Sequence, residues 1–526
     1  MVAPKQMVEK SSSGKVQEAI SLFLRAGYHL DRDAFDFLCT LSRTKDPAEF
    51  LKVALRKLES REEKPFFIGK VALEEIAKEA FPQAEEVRST AEPHISMPSP
   101  RTGKTQKFQS HAKDVDADVK VIEDPTDQIR STGSIEEYQE YFRDRFKKIQ
   151  RLLRQRMDSR NATSIKDAFR APRRSRIKFI CMVTEKRDST HGVLLATEDL
   201  ETGTTVFIPR NAPLELLTKT KAILPDQVIC LSVIKGRGNL LIVEDIQFPD
   251  IPQHKPRRAK EGVSAALISD LHVGSREFMK EEFNRFLLWL NGKFGDKKLK
   301  EAASLVKYVI VAGDIVDGVG IYPNQIDDLT IQDISKQYKA ASEFIEQIPD
   351  YMELIIIPGN HDASRKALPQ PRLPKEYAEL LCETRSVLSL GNPATVNIHG
   401  VELLLYHGRS LDDILATAAD MDFHSPERAL RLMLRCRHLA PTYGQRTLIA
   451  PSKRDFLVID RVPDIFHTGH VHVMKFGTHR GTIIINSGAW QKQTNFQRNL
   501  GLKPTPGIIP IVNLQTHAVL PIDFNA

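Results

Sequence analysis

The stretch "IIIPGNHDAS", residues 355–364, carries the strongest signal for the fold in this chain. Its isoleucines indicate the end of a buried strand, and a Pro-Gly pair stops that strand. Asn360, His361 and Asp362 follow at once. Taken alone, such a polar loop fits a helix cap as well as a reactive site. The remainder of the chain has to decide between the two interpretations.

Four further segments repeat this arrangement, with metal-ligand residue types placed directly after an apolar strand. They are SAALISDLHVGS with Asp270 and His272, VKYVIVAGDIVDG with Asp314, ELLLYHG with His407, and DIFHTGHVH with His470 and His472. Beyond residue 253 such strands alternate with helical segments, which indicates a layered α/β domain. Ligands at the carboxyl ends of several strands converge in one crevice of such a sheet.

The residue types limit the chemistry of this crevice. Carboxylates, imidazoles and one amide oxygen, without a thiolate, favour Mn, Fe, Zn or Mg over a structural zinc site. A carboxylate such as Asp314 can bridge two ions, and two ions about 3.5–4 Å apart suit in-line displacement at phosphorus. A single buried histidine is usually a satisfied core residue, but the combination favours a metal centre. Asp317 is expected to be a supporting or structural carboxylate.

The order Asp-x-His, Gly-Asp, Gly-Asn-His-Asp, His and Gly-His-x-His, over roughly residues 260–500, resembles the calcineurin-like metallophosphoesterase superfamily. The resemblance implies an αββα sandwich with two divalent ions, with Mn favoured and Mg, Fe or Zn as alternatives. It implies one ion on Asp270, His272, Asp314 and His472, and a second on Asp314, Asn360, His407 and His470. His361 would face the scissile phosphate, steadying charge or protonating the leaving oxygen, with Asp362 orienting its ring.

Sequence patterns divide the chain into four parts. Helical periodicity predicts a small N-terminal helical domain over residues 1–81. Scattered prolines and charges predict a disordered linker over 82–133. A capped helix and five short strands over 134–252 suit an OB-type β-barrel that contacts either nucleic acid or a partner protein. The metallophosphoesterase domain occupies 253–526.

This architecture resembles the small subunit of replicative DNA polymerases. Because every metal motif is intact, it is similar to the archaeal family D small subunit, a proofreading 3′–5′ exonuclease. "RHLAPTYGQ" (437–445) and "RVPDIFHTGHVH" add to the resemblance. It implies a large catalytic polymerase subunit as partner and DNA 3′ ends as substrate. Two alternatives stay open: a non-catalytic scaffold subunit, and a metallophosphatase acting on small phosphoesters.

Composition agrees with an intracellular protein that binds nucleic acid. The net charge of +7 permits a polyanionic partner without requiring one. The 5 cysteines form no CxxC pair, so the pattern favours neither a disulfide framework nor a zinc knuckle. No apolar run approaches the length of a membrane span. We therefore expect a cytoplasmic, nucleoid-associated protein without a membrane anchor.

A weaker motif lies near the N-terminus. The segment "QEAISLFL" loosely fits a peptide that binds a sliding clamp, through Gln17, Ile20, Phe23 and Leu24. The same residues form one apolar face of a predicted helix. Core packing is the favoured interpretation of this segment, with clamp binding as the alternative.

Overall fold

The chain consists of two compact units, Met1–Thr105 and Gln106–Ala526. The computed structural model describes residues 108–525 except 383–384, 419–420 and 500, and before them residues 29–30, 50, 54 and 67–68. In the first unit, β1 (His29–Leu30) and β2 (Phe67–Ile68) pair in parallel, and Phe50 and Ala54 are buried. The predicted helical domain otherwise lies outside the described residues. So does the whole predicted clamp segment: Gln17, Ile20, Phe23 and Leu24.

The second unit begins within the predicted disordered linker, and here the prediction for residues 82–133 is wrong in part. Strand β3 (Val119–Glu123) pairs antiparallel with a strand at residues 394–398. Few large apolar residues flank β3, so composition alone suggested a solvated tether. The paired strand satisfies the backbone groups of β3, which local composition could not reveal. Residues 82–107 lie outside the described part of the chain.

Helix α1 (Ile135–Arg154) begins at Ser134, whose hydroxyl accepts a hydrogen bond from Glu137 N at 3.3 Å. The apolar side chains that this helix buries are Tyr141, Phe146, Ile149, Leu152 and Leu153.

The same helix buries a charge. Arg145 is 1 % exposed and pairs with Asp455 at 2.9 Å. His438 Nε2 lies 2.8 Å from the same carboxylate oxygen. This buried cluster joins α1 to the loops beyond residue 436.

A closed five-stranded barrel follows α1 and the short helix α2 (Ile165–Arg170). Its strands are β4 (Arg176–Ser189), β5 (Gly192–Glu198), β6 (Gly203–Pro209), β7 (Val228–Lys235) and β8 (Leu241–Gln247). The strand order is β4-β5-β6-β8-β7, with helix α3 (Leu214–Lys221) between β6 and β7. Inward-facing aliphatic side chains fill the barrel. The sequence predicts five short strands in this region, and the structure contains five strands between residues 176 and 247.

Two six-stranded sheets form the rest of the unit. The first has the order β12-β11-β10-β9-β18-β19: β9 (Ser264–Ile268), β10 (Val306–Ala312), β11 (Glu353–Ile357), β12 (Leu388–Ser389), β18 (Ile508–Asn513) and β19 (Val519–Asp523). The second has the order β16-β17-β15-β14-β13-β3: β13 (Ala394–Ile398), β14 (Val401–Leu405), β15 (Ile465–Thr468), β16 (Lys475–His479) and β17 (Thr482–Asn486), with β3 at its edge.

The two sheets face each other and helices cover their outer faces. In β9 every residue is buried, and its side chains alternate between the two layers. Ala265 and Leu267 enter the core between the sheets, whereas Ala266 and Ile268 pack against the helices. The helices are α4 (Lys280–Leu290), α5 (Lys297–Ser304), α6 (Ile334–Ile345), α7 (Lys375–Cys382), α8 (Leu411–Thr417), α9 (Pro426–Cys436) and α10 (Asn495–Asn499). The predicted mixed α/β layering is confirmed.

None of the helices in the described part of the chain combines the length and the apolar character that crossing a membrane requires.

Candidate metal centre

The predicted ligands lie at the carboxyl ends of neighbouring parallel strands. In the first sheet, β9, β10 and β11 run parallel and end just before Asp270, Asp314 and Asn360. In the facing sheet, β14 and β15 run parallel and end before His407 and His470. Because both groups of strand ends open at the same edge of the sandwich, residues far apart in sequence meet in one cleft.

The backbone at this edge adopts an uncommon conformation. Five of the predicted ligands have left-handed backbone angles, with φ from +53° to +74°: Asp270, His272, Asp314, His470 and His472. Each such residue outside glycine costs on the order of 1–3 kcal/mol, and such positions cluster at functional sites. The surrounding fold therefore holds the cleft against a local conformational preference.

Two glycines let neighbouring loops approach the carboxylates closely. A Cβ atom on Gly359 would lie 2.1 Å from Asp314 Oδ1. One on Gly469 would lie 2.4 Å from Asp270 Oδ2. Both distances are far below van der Waals contact, so only glycine allows these loops to pack as they do.

The first predicted ligand group converges on one point. His272 Nε2 and His472 Nε2 are 3.1 Å apart. Asp270 Oδ1 lies 3.4 Å from His472 Nε2 and 3.9 Å from His272 Nε2. Asp314 Oδ2 lies 3.8 Å from His272 Nε2. All four residues are buried.

The second predicted group approaches the same oxygen of Asp314. His407 Nε2 lies 3.3 Å from Asp314 Oδ2 and 3.1 Å from Asn360 Oδ1. Ligand atoms of Asp314, His407 and His470 lie within 4.8 Å of one another. Asp314 therefore stands between the two groups, where a bridging carboxylate would have to be.

The hydrogen bonds of His407 test whether this donor set fits a cation. Its Nδ1 lies 2.7 Å from Ala312 O, so Nδ1–H donates to that carbonyl. Nε2 is then itself an acceptor, and it faces two oxygen acceptors, those of Asp314 and Asn360. Three acceptors cannot converge without a proton or a cation between them. Without a cation, burial would lower the pKa of His407, but Asp314 raises it to about 9. A divalent ion fits here by displacing that proton.

The buried carboxylates remain ionised. Burial by itself would raise the pKa of Asp270 and of Asp314. The neighbouring imidazoles outweigh that effect: His472 contributes most to lowering the pKa of Asp270 to about 2, and His407 to lowering that of Asp314 well below its usual value. Both side chains therefore present anionic oxygens to the cleft at neutral pH.

His361 lies at the mouth of the cleft, partly exposed, with its ring 4.7 Å from that of His272. A backbone group orients it, because His361 Nδ1 lies 2.7 Å from Asp317 O. The carboxylate of Asp317 lies 3.0 Å from His272 Nδ1. Asp317, expected to be a supporting residue, thus contacts one predicted ligand and the predicted phosphate-facing residue.

The prediction that Asp362 orients His361 is wrong. The buried Asp362 carboxylate accepts hydrogen bonds from Gly359 N at 2.8 Å, Ile315 N at 3.1 Å and the Tyr338 hydroxyl at 3.2 Å. Burial raises its pKa to about 6, and Asp314 adds to that effect. Asp362 therefore fastens the turn after β11 to the chain beyond β10, since buried amides there need an acceptor.

Two contacts to the predicted ligands were missed by sequence reasoning. Asp412 Oδ1 lies 3.1 Å from His470 Nε2, and Arg409 pairs with the other oxygen of Asp412. Gln497 Nε2 lies 2.9 Å from His472 Nδ1. Asp412 and Gln497 lie in helices of ordinary composition, so no motif distinguished them before the fold was known.

Comparison with known proteins places this chain in a family. The family of DNA polymerase alpha/epsilon B subunits matches residues 265–478, which contain every predicted ligand. The DNA polymerase II small subunit of Methanocaldococcus jannaschii is 39% identical over 407 residues, 77% of this chain and 68% of that protein.

Two further relatives match over nearly their whole length. The DNA polymerase II small subunit of Archaeoglobus fulgidus is 35% identical over 93% of this chain and 94% of that protein. That of Methanothermobacter thermautotrophicus is 33% identical over 95% and 98%. This chain belongs to the DNA polymerase II small subunit family. The predicted resemblance to the archaeal family D small subunit is thereby confirmed.

Similarity to solved structures is much weaker. An archaeal phosphodiesterase is 15% identical, over 49% of this chain and 99% of that one, with a TM-score of 0.25. A zinc complex of Vps29 from Entamoeba histolytica is 14% identical, over 50% and 100%, with a TM-score of 0.24.

Proposed function

We propose that this chain is the proofreading 3′–5′ exonuclease subunit of a family D DNA polymerase. It hydrolyses DNA phosphodiesters at 3′ ends and assembles with a large catalytic subunit. The observation that carries the catalytic part is the position of Asp314, buried between two donor groups that approach the same carboxylate within 3.3 and 3.8 Å. The family name supports the polymerase context, since relatives of similar length are small subunits.

Each half of the cleft supplies donors for one divalent ion, with Mn favoured and Mg, Fe or Zn as alternatives. The donor sets are Asp270, His272, Asp314 and His472 for one ion, and Asp314, Asn360, His407 and His470 for the other. Two bound ions would polarise a phosphoryl oxygen and lower the pKa of water, which is the chemistry that phosphodiester hydrolysis needs. Without thiolates, the set selects hard or borderline ions.

Asp317 orients two of the histidine rings in the cleft. Asp317 fixes the ring of His272 through its carboxylate and the ring of His361 through its carbonyl. With Nδ1–H of His361 donating to the carbonyl, Nε2 is the ring atom left to meet substrate. In its cationic form the ring also carries a hydrogen on Nε2, and that N–H either donates a hydrogen bond to a phosphoryl oxygen or gives its proton to the leaving 3′ oxygen, which leaves a neutral imidazole. Both roles need the partly exposed position that His361 has.

We propose in addition that residues 134–252 form an OB-type module. The observed strand order β4-β5-β6-β8-β7 in a closed barrel supports this assignment.

The test is hydrolysis of single-stranded and 3′-mismatched DNA by the full chain with added Mn. A 5′-labelled strand should shorten stepwise from its 3′ end, and chelation with EDTA should stop the reaction. Asp314→Asn and His361→Ala should each abolish or strongly reduce the rate. Asp188→Asn and His191→Ala, at exposed positions on the barrel, are matched controls that should retain it.

Full activity in the Asp314→Asn variant would refute the assignment of this cleft. Binding of Mn without turnover would favour the scaffold alternative. Preference for p-nitrophenyl phosphate or nucleoside monophosphates over DNA would favour a phosphatase acting on small phosphoesters.

A further inference from the structure

The turn after β14 places an arginine at the rim of the cleft. Gly408 follows the predicted ligand His407, with φ of +113°. A Cβ atom there would lie 3.0 Å from Gly469 O and 3.3 Å from the Cβ of His470. The chain therefore passes very close to the loop that carries His470 and delivers the next residue, Arg409, against that imidazole.

Local hydrogen bonds make this turn rigid. The hydroxyl of Tyr406 donates to Ser410 Oγ at 2.8 Å and accepts from Ser410 N at 3.2 Å. Both residues are buried, so the two ends of the turn that contains Arg409 are held. An arginine on a rigid turn loses less conformational entropy when it binds a ligand than one on a free loop.

A single carboxylate links this arginine to the centre. Asp412 Oδ1 lies 3.1 Å from His470 Nε2, while Asp412 Oδ2 forms an ion pair with Arg409 Nη1. Arg409 Nη1 also lies 3.4 Å from His470 Nε2. With Nε2 of His470 engaged by Asp412, Nδ1 is the nitrogen left for an ion.

The arginine nevertheless remains available to a ligand. Its side chain is 27% exposed and that of Asp412 is 22% exposed, whereas Asp314 and His407 are buried. A guanidinium carries five N–H donors in a fixed plane, and the Asp412 pair uses one of its terminal nitrogens. The remaining edge is suited to the planar, two-point recognition of a phosphate.

We propose that Arg409 binds a backbone phosphate of the DNA strand beside the scissile linkage, and that Asp412 is the positioning residue for both Arg409 and His470. This inference rests on the proposed nuclease function and names the part of the strand recognised there. The contact neutralises one phosphate charge, so it should be independent of base sequence. It lies on the His470 side of the cleft.

The experiment measures binding separately from hydrolysis. Affinity of the full chain for a fluorescent oligothymidylate is measured by anisotropy in EDTA, between about 50 and 200 mM salt. Loss of one phosphate contact to a single strand should reduce the slope of log K against log salt by about 0.7 in Arg409→Ala. A change of about 0.7 in the slope corresponds to about fivefold weaker binding of the oligonucleotide near 0.1 M salt. Arg409→Lys should keep the slope. The matched control is Arg446→Ala, at an exposed arginine, which should also keep it.

Neutral linkages locate the contact without a substitution in the protein. A set of oligonucleotides carries one methylphosphonate each, at successive positions from the 3′ end. At one position, the neutral linkage should reduce the salt slope of the wild-type protein. With that oligonucleotide, the slopes of wild type and Arg409→Ala should no longer differ. If no position does so and the Arg409→Ala slope equals that of wild type, the phosphate contact is refuted, whether or not the protein is a nuclease.

The role of Asp412 has its own readout. Asp412→Asn should weaken Mn binding about 10–100-fold in calorimetry, as expected when a carboxylate that orients a metal-binding histidine is lost. The neighbouring Asp413→Asn, whose carboxylate accepts from Arg446 N and Thr447 N at 3.0 Å, should leave Mn affinity unchanged. Unchanged Mn affinity in Asp412→Asn, with a folded protein by thermal melting, overturns the positioning role. If the protein hydrolyses no DNA but shows the slope change in Arg409→Ala and the weaker Mn binding in Asp412→Asn, this inference stands. Only the proposed nuclease activity is then refuted.

Discussion

Replacing Gly359 by alanine should displace the carboxylate that joins the two halves of the cleft. The added Cβ would lie 2.1 Å from Asp314 Oδ1 and 2.5 Å from Asp314 N. Ordinary contact begins near 3.4 Å, so the carboxylate or the turn must move by about 1.3 Å. Gly359 lies outside the left-handed region, which means that alanine meets no backbone strain and the contact alone is tested.

The displacement sets the expected magnitude. A misplacement of about 1 Å in a catalytic group can cost about 100-fold in rate, so Gly359→Ala should lose about two orders of magnitude in kcat/KM for the proposed hydrolysis of DNA. Overpacking should cost about 1–3 kcal/mol of unfolding free energy, partly offset by about 0.4–1 kcal/mol from a stiffer unfolded chain. The variant should therefore remain folded and bind Mn more weakly.

The assay compares Gly359→Ala with Gly203→Ala on the barrel. A Cβ on Gly203 meets its nearest atom at an ordinary 3.4 Å, again without a positive φ, so this control should keep full activity. Rates on a 5′-labelled strand, Mn affinity by calorimetry and urea unfolding are measured for both proteins. Wild-type rate and Mn affinity in Gly359→Ala would refute the conclusion that the Asp314 position governs this centre.

Three further outcomes are expected. Asp455→Asn leaves the buried charge of Arg145 without its partner and should lower the free energy of unfolding, measured in urea, by about 3–5 kcal/mol. The control Asp188→Asn, at an exposed position, should leave it unchanged. Burial lowers the pKa of His438 to about 4, and Arg145 adds to this effect. Between about pH 4 and about pH 6.5 the unfolded chain therefore binds more protons than the folded protein. The contribution of His438 to the free energy of unfolding should be full above this window and fall as pH decreases through it, and the fall should be smaller in His438→Gln. Mn at about 100 times its Kd should raise unfolding free energy by about 2.7 kcal/mol, an increase that Asp314→Asn should lose.

Much of the centre was predictable because its ligands follow recognisable strands. The run of buried residues before Asp270, Asp314 and Asn360 marks each strand end, and parallel neighbours bring those ends together without any knowledge of loops. The residue types then restrict the possible ions. For these positions, local pattern and sheet geometry point in the same direction.

The roles of supporting residues were less predictable. Asp362 follows His361 directly, yet its carboxylate serves backbone amides of other segments, and the carbonyl of Asp317 orients the imidazole instead. Adjacency in sequence says which residues share a turn. It does not say which side of the turn each side chain faces.

The amino-acid sequence by itself determined the alternation of strands and helices beyond residue 253, the predicted ligand types and the membership of a polymerase small subunit family. Only the tertiary structure decided that β3 joins a sheet, that Asp412 connects Arg409 to His470, and that Asp314 lies between two donor groups. The physical reason is the range of the interactions. Burial periodicity and turn preferences act between near neighbours in the chain, whereas hydrogen bonds and ion pairs form between whatever groups the packed layers bring within about 3 Å.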